Sequence, residues 1–163
     1  MRATVDLPLV AAGGIADAAG ARAARAAGAD AVTMGTRFLA TSESAVHPAF
    51  TRRLLAATAE DTVLLDDLFD VGWPRAPHRT LRNATVDAWE AAGRPPSGQR
   101  PGEGEVIAHR GARAIVRYSD DLPLAGDAGD VDALALYCGQ GVGLIDRVEP
   151  AAAIVERVGA AFR

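Results

Sequence analysis

Two glycine-containing turns are the stretches of this chain best suited to chemistry. Gly13-Gly14 follows a short apolar run, and Gly35-Thr36 follows a second run about one β–α repeat later. Glycine lets a phosphate approach the backbone closely, and unpaired N–H groups at a helix start attract an anion. One such turn alone is typical of a plain chain reversal. Two turns at this spacing, each at the end of a strand, predict a phosphate clamp.

The strands and the helix around the two glycine turns determine whether the turns lie close together. Residues 7–12 and 31–34 are short apolar runs of strand length. Between them, Asp17 is a typical N-cap for an Ala-rich helix that Gly28 ends. Strand, helix and strand predict a parallel βαβ unit, whose strands end at one edge of the sheet. Barrels of the (β/α)₈ type place a phosphate site after their seventh and eighth strands.

The rest of the chain shows weaker patterns. Predicted helices and strands follow at 49–57, 62–65, 84–92, 114–118 and 130–137, and a closing helix starts near Pro150 with Ile154, Val155, Val158 and Phe162 on one face. Asn83 is the expected N-cap of the helix at 84–92. The Pro/Gly-rich residues 93–104 predict a flexible loop. The middle of the chain therefore resembles an irregular, α-rich insertion.

Composition limits the function classes. The chain of 163 residues has 49% hydrophobic residues and a net charge of −4, which predicts one globular domain over 1–163 and argues against nucleic acid as a partner. All 17 basic residues are arginine, so lysine Schiff-base chemistry is excluded. No apolar run is long enough for a membrane span and no signal core is visible, so we expect a cytoplasmic protein with no membrane partner.

Histidine and cysteine predict neither a metal site nor a catalytic residue. His47, His78 and His109 show no metal-ligand spacing, and His47 before Pro48 is typical of a helix N-terminus. Cys138 is the only cysteine, which excludes an internal disulfide. Without a histidine near it in sequence, it is expected to be a small packed residue.

The remaining polar candidates leave alternatives open. The pairs Asp66-Asp67 and Asp120-Asp121 are expected in solvated loops, because adjacent strand positions face opposite sides. Arg37 follows the second glycine turn and suits either a phosphate or a carboxylate partner. Gln140-Gly141 lies in a glycine-rich turn that lacks the dinucleotide fingerprint. Gln140 is either a ligand contact or part of a plain turn.

Several of these stretches together resemble one enzyme family. They are residues 10–17 and 28–41, residues 42–49, the Leu81-Arg82-Asn83 stretch with Trp89, and residues 139–144 before the helix at 150–156. In this order they are similar to the C-terminal half of the nitronate monooxygenases, also called 2-nitropropane dioxygenases. The glycine motif at 10–17 alone is shared with other phosphate-binding barrels.

The resemblance implies a fold and a cofactor. It implies an α/β chain that forms part of a (β/α)₈ TIM barrel, with FMN held without a covalent bond. Gly13, Gly14, Gly35 and Thr36 match the family's phosphate contacts, Thr33 and Met34 adjoin them, and the Gln140-Gly141 turn lies near the cofactor. Thr33 stands where the family often has glutamine. A backbone contact would survive that change, whereas an amide side-chain contact would not.

The resemblance also implies a reaction, in which dioxygen oxidises an alkyl nitronate to a carbonyl compound and nitrite. The family's base is a histidine of the N-terminal half, which no residue here matches. We therefore expect a truncated product or a half that needs a partner chain or self-association, with little FMN binding in isolation. Alternatives are an FMN-dependent enoyl-acyl-carrier-protein reductase, which shares both glycine motifs, and a non-catalytic barrel fragment.

Overall fold

The computed structural model describes residues 5–163, which divide into two compact units. The first unit contains the described residues up to Ser44, Leu54–Ala59 and Gly139–Arg163, and the second contains Ala45–Arg53 and Glu60–Cys138. A single domain over 1–163 stays a prediction from chain length. The mixed α/β class is confirmed by the elements that follow.

The first unit is built on the predicted βαβ arrangement. Strand β1 (Val10–Ala12), helix α1 (Ala18–Ala26) and strand β2 (Ala31–Thr33) follow one another, and the two strands pair in parallel. The strand predicted at 7–12 begins only at Val10. Asp30 explains the late start: the Leu9 amide donates to its carboxylate at 2.8 Å, and its own amide donates to the Leu9 carbonyl.

Helices cover this unit. The Asp17 carboxylate caps α1 as predicted, accepting from the Gly20 amide at 2.7 Å. The other helices are α2 (Thr36–Leu39), the end of α3 (Pro48–Ala56) and α5 (Ala151–Gly159). Ala21 of α1 packs with Ile154 and Val158 of α5. Val155 is 57% exposed, so it lies outside the buried core that Ile154 and Val158 form with Ala21.

The second unit is rich in β-structure. Strands β3 (Thr62–Leu65) and β4 (His78–Leu81) form an antiparallel pair, and β5 (Val106–Arg110), β6 (Arg113–Val116) and β7 (Asp127–Gly129) form a sheet in the order β6-β5-β7. Helix α4 (Ala84–Ala91) starts after its predicted cap Asn83. The expected α-rich insertion is therefore wrong for residues 60–138. The core contains Leu65, Leu68, Phe69, Val86, Trp89, Tyr118 and Ala135.

The helix predicted at 130–137 is not formed. One 3₁₀ turn, Val131–Ala133, leads into extended chain. The Leu136 carbonyl accepts from the Leu81 amide at 2.9 Å, and the Leu134 carbonyl accepts from the Asn83 side chain at 2.8 Å. Ala133 to Leu136 are all buried. A segment with partners on both sides has no need of internal helical hydrogen bonds.

The sheets of the described chain have two, two and three strands, and no closed barrel is formed by residues 5–163. Strands β1 and β2 form a sheet of their own within that range. The partial barrel that the sequence suggests is therefore taken up below as a proposal.

Candidate functional site

The parallel register of β1 and β2 brings the two glycine turns together. Val10 lies opposite Ala31, and Ala12 lies opposite Thr33. Both strands end at this last pair, so Gly13-Gly14 and Met34-Gly35 leave the same edge of the sheet. The side-by-side arrangement expected of a βαβ unit is thus present.

The backbone at these turns is open to a ligand. Gly13 and Gly14 have φ values of +89° and +70°, which favour glycine. No heavy atom lies within 4 Å of where a Cβ would stand at Gly13, Gly14 or Gly35. The amides of Gly35 and Thr36 stand at the start of α2, where the N–H groups of the first turn have no acceptor within the helix. The turns can therefore donate backbone N–H groups to an anion.

A third segment closes on these turns. The 3₁₀ turn Gln140–Leu144 follows Gly139, whose amide donates to Thr36 Oγ1 at 2.8 Å. Gly141 is buried against the Gly14 carbonyl, with 3.2 Å between that oxygen and the place of a Cβ. Gln140 is exposed. The structure thus brings Gly13, Gly14, Gly35, Thr36, Gln140 and Gly141 into one cluster, which we call the glycine cluster.

The two remaining site candidates flank the glycine cluster. Thr33 is exposed at the end of β2. Met34 is half-buried and packs against the cluster of Ala21, Ile154 and Val158. Because the Met34 side chain belongs to that core, only its backbone can face a ligand at the turn.

Arg37 has a carboxylate partner. It is 3% exposed, its Nη2 donates to Glu149 Oε2, and its Nη1 donates to the Arg147 carbonyl at 3.0 Å. Of the two alternatives for this residue, the ion pair is the one formed. Hydrogen bonds from Arg157 and Arg37 hold the pKa of Glu149 at about 2, against partial burial that raises it.

His47 and Cys138 occupy structural positions. His47 Nδ1 accepts from the Ala49 amide at 3.1 Å at the start of α3, as expected of a helix N-terminal residue. His109 is exposed. Cys138 is buried, and burial raises its pKa to about 12. No group of three or more metal-ligating side chains occurs in the described part of the chain.

The acidic pairs differ from one another. Asp66 and Asp67 are exposed, as expected. Asp121 is half-buried, bonded to Arg113 Nη1 at 3.0 Å and Arg110 Nη1 at 3.1 Å, so its predicted place in a solvated loop is wrong. Hydrogen bonding to Arg113 is the main cause of its lowered pKa. The two arginines come from β5 and β6, a pairing that no local sequence signal reveals.

Two clefts were not predicted. One, of about 360 Å³, runs along β2 and α5 in the first unit and is lined by Val32, Met34, Phe38, Val155, Val158 and Phe162 among others. The other, of about 400 Å³ in the second unit, is lined by Phe69, Trp73, Ala76, Pro77, His78 and Tyr137. The only sequence signal for the second was a tryptophan in the turn Gly72-Trp73-Pro74.

None of the helices within residues 5–163 has the length and apolar character needed to cross a membrane.

Comparison with known proteins identifies the family. Residues 1–160 match the nitronate monooxygenase family. The nitronate monooxygenase npaC of Metarhizium robertsii is 39% identical over 158 residues, which cover 91% of this chain and 40% of that protein. The chain therefore spans about two fifths of that relative's length.

Two solved structures are similar to this chain over nearly its whole length. The nitroalkane oxidase of Streptomyces ansochromogenes superposes with a TM-score of 0.66 and 30% identity, over 99% of this chain and 41% of that one. FabK of Thermotoga maritima gives a TM-score of 0.64 and 28% identity, over 99% of this chain and 46% of that one. With these likenesses and the match over residues 1–160, the chain belongs to the nitronate monooxygenase family.

Proposed function

We propose that this chain provides the FMN phosphate site of a flavin-dependent oxidoreductase that oxidises alkyl nitronates with dioxygen to a carbonyl compound and nitrite. The observation that carries the proposal is the parallel pairing of Ala12 with Thr33, which sets side by side two glycine turns with open space where a Cβ would stand. The family match and the nitroalkane oxidase likeness support the reaction class.

The residues of the glycine cluster fit a phosphate ester. In this proposal the phosphate is bound by uncharged backbone N–H groups, those of Gly13, Gly14, Gly35 and Thr36. The neighbouring Arg37 is not a donor to it, because its guanidinium group is held by Glu149. Thr36 Oγ1 accepts from the Gly139 amide, which leaves the hydroxyl proton for a phosphate oxygen. The absence of Cβ atoms permits close approach. Bound FMN would supply the redox chemistry, and the exposed Gln140 would border it.

The proposed active unit is larger than this chain. We propose that β1 and β2 are late strands of a (β/α)₈ barrel whose other strands come from a partner chain, a second copy or further polypeptide. The cleft along β2 supports this, because apolar side chains such as Val32 and Phe38 line a strand with no partner on that side within residues 5–163. We assign no catalytic base to this chain. A cytoplasmic location belongs to the same proposal.

The phosphate site is tested by amide chemical shifts of the ¹⁵N-labelled chain titrated with inorganic phosphate, FMN and riboflavin. We expect shifts at Gly13, Gly14, Gly35 and Thr36 with phosphate and with FMN, and none there with riboflavin. Because only part of the flavin pocket is present, FMN should bind weakly. Shifts scattered elsewhere, or equal responses to riboflavin, would contradict the proposal.

A matched pair of variants sharpens the test. Gly35→Ala places a methyl group in the open space at the turn, where φ is −97°, so the fold tolerates it and the phosphate does not. We expect about a tenfold loss of phosphate affinity, since a carbon atom blocks close approach. Gly159→Ala adds the same methyl group to open space at the end of α5 and should leave phosphate binding unchanged.

The alternative of an FMN-dependent enoyl-acyl-carrier-protein reductase keeps the same phosphate site and consumes reduced nicotinamide. An NAD(P)H oxidation assay on the completed, FMN-loaded protein separates it from nitronate oxidation, which releases nitrite and needs no nicotinamide. A non-catalytic fragment would show neither activity and would bind no FMN when completed.

A further inference from the structure

The aromatic cleft of the second unit is a site that the proposed phosphate clamp does not use. We define it by Phe69, Trp73, Ala76, Pro77, His78 and Tyr137, and it measures about 400 Å³. Volumes of this order are typical of small-molecule sites. The His78 ring lies edge-on to Tyr137 with centroids 5.1 Å apart, and 6.1 Å from the ring of Phe69. The walls are therefore mainly aromatic faces and edges.

Two features of the residues that line the cleft are unfavourable for the stability of the fold. Trp73 leaves 67% of its surface exposed, although indole is the largest apolar side chain available to a core. Phe69 has a φ of +51°, a left-handed conformation that costs energy for a bulky side chain. Its ring is fully buried all the same. Exposed aromatic surface and strained backbone concentrate where proteins bind ligands.

His78 contributes an unsatisfied hydrogen-bond acceptor. Its Nδ1 lies 2.8 Å from the Ala76 carbonyl, which can only accept, so Nδ1 carries the proton. The neutral ring then presents Nε2 as a bare lone pair. That atom is buried and has no hydrogen-bond partner in the described chain. A ligand with an N–H group would supply the missing donor, whereas an anion would not.

The charges around the cleft favour a cation. None of its lining residues is an arginine, and the neighbouring Arg75, between Trp73 and Ala76 in sequence, is exposed. Asp120 and Asp121 both act on Tyr137, whose pKa burial and these carboxylates raise to about 12. Asp121 is neutralised by Arg110 and Arg113, whereas Asp120 forms no ion pair within residues 5–163. Its Oδ1 would stand 2.5 Å from a Cβ on Gly72, next to Trp73. The uncompensated carboxylate thus lies beside the aromatic wall.

We propose that the aromatic cleft binds an organic cation, namely a protonated amine attached to an apolar or aromatic body. The apolar body fills the space between Phe69 and Pro77, and the ammonium group meets the faces of Trp73 and Tyr137. Aromatic faces attract cations through their quadrupole. The ammonium hydrogens satisfy the lone pair of His78, and Asp120 supplies the opposite charge. A nitronate or phosphate anion would bring no donor hydrogen for His78 and would be repelled by Asp120, so the proposed ligand of this cleft differs from those of the proposed phosphate site.

Three probes of one shape test the charge preference at pH 7. They are 2-phenylethylammonium, 2-phenylethanol and 3-phenylpropionate, added to the ¹⁵N-labelled chain while the backbone amide signals of Phe69, Ala76 and Tyr137, which every variant retains, are followed. We expect the ammonium probe to bind at least about tenfold tighter than the carboxylate, with the alcohol between them. Equal affinities for the ammonium and carboxylate probes, or tighter binding of the carboxylate, would overturn the proposal.

Variants locate the binding. Trp73→Ala removes an exposed side chain, so the chain should stay folded, and we expect about a fivefold weaker affinity for the ammonium probe. His78→Phe keeps a ring and removes Nε2, and should weaken the ammonium and alcohol probes, which both carry a donor hydrogen, while leaving the carboxylate probe unchanged. Leu64→Ala removes another exposed apolar residue of this unit, outside the cleft, and should change nothing. Unchanged affinity in Trp73→Ala, with the folded spectrum retained, would overturn the proposal.

Discussion

Arg37 is buried against Glu149, so the guanidinium group that follows the second glycine turn in sequence is paired with a carboxylate. Arg37 donates Nη2 to Glu149 Oε2, and Arg157 donates to both oxygens of the same carboxylate, at 2.7 and 2.9 Å. Glu149 therefore joins α2 to α5 within the first unit. A phosphate bound at the glycine cluster would rely on backbone amides instead of a guanidinium group.

Glu149 should make the stability of this chain depend on acid. Its pKa is about 2 in the folded chain and near 4.5 in the unfolded one. The stabilisation by its ion pairs is complete above pH 4.5 and is lost as the pH falls toward 2. We expect Glu149→Gln to be less stable than the parent chain at pH 6, with the difference shrinking between pH 4.5 and 2. Urea unfolding followed by circular dichroism at several pH values measures this.

Glu156→Gln in α5, the helix that Glu149 precedes, is the control, because Glu156 is exposed. It should follow the parent chain across the pH range. A constant stability difference for Glu149→Gln down to pH 2 would show that the lowered pKa of Glu149 does not contribute to stability.

Asn83 should be one of the costliest polar side chains to remove. Its Oδ1 accepts from the Val86 amide at 3.1 Å, and its Nδ2 donates to the carbonyls of Asp132 and Leu134. Asn83→Ala removes a helix cap and leaves buried carbonyls without a donor, so we expect a loss of about 3 kcal/mol in the free energy of unfolding. Asp17→Ala removes only a cap and should cost about 1 kcal/mol. Equal losses in the two variants would refute the role of Nδ2.

Arg100 should anchor the Pro/Gly-rich loop at 93–104. Its side chain is 0% exposed, donates to Asp70 at 2.6 Å and lies 4.7 Å above the ring of Tyr118. Arg100→Ala breaks a buried ion pair, and we expect a loss of about 3 kcal/mol in unfolding free energy and faster proteolysis within the loop. Arg94→Ala, at an exposed ion pair of the same loop, should cost less than about 1 kcal/mol.

Proteolysis of the parent chain also tests the flexibility predicted for residues 93–104. Rapid cleavage there in the parent chain, unchanged in Arg100→Ala, would mean that Arg100 does not hold the loop.

Cys138 should be inert while the chain is folded. Burial raises its pKa to about 12, although the charge of Arg79 lowers it in part. Thiolate is the reactive form, so iodoacetamide at pH 8 should label the folded chain more than about 100-fold slower than the urea-unfolded chain. Mass spectrometry of timed samples gives both rates. Comparable rates in the two states would show that Cys138 is accessible and ionised.

Features that depend on neighbours in sequence could be predicted. Asp17 and Asn83 cap helices as expected, because a capping side chain bonds an amide three residues ahead. The placement of the two glycine turns at one edge of the sheet followed from the parallel direction of the strands in a βαβ unit. The pattern of strands and turns therefore predicted two segments of the glycine cluster. It did not predict the third, the turn Gln140–Leu144, which only the family resemblance placed near them. The affinity of the glycine cluster for FMN remains a prediction.

Features that depend on partners far away in the sequence could not be predicted from it. The apolar stretch ending at Leu136 has helical spacing, but its carbonyls are bonded by β4 and Asn83, so it is extended. Asp121 is held by arginines of strands β5 and β6, in a region where the sequence predicts an irregular insertion. The aromatic cleft joins Trp73 to Tyr137, and no periodicity connects those positions.

Gly141 packs closely against Gly14 and Ala16, which are far from it in the sequence. A methyl group there would press on the Gly14 carbonyl and on Ala16 Cβ, at 3.2 and 3.3 Å, and would displace that backbone by a few tenths of an ångström. A larger residue at position 141 therefore requires a small shift of the loop that follows β1. A library that varies position 141 should hence favour glycine.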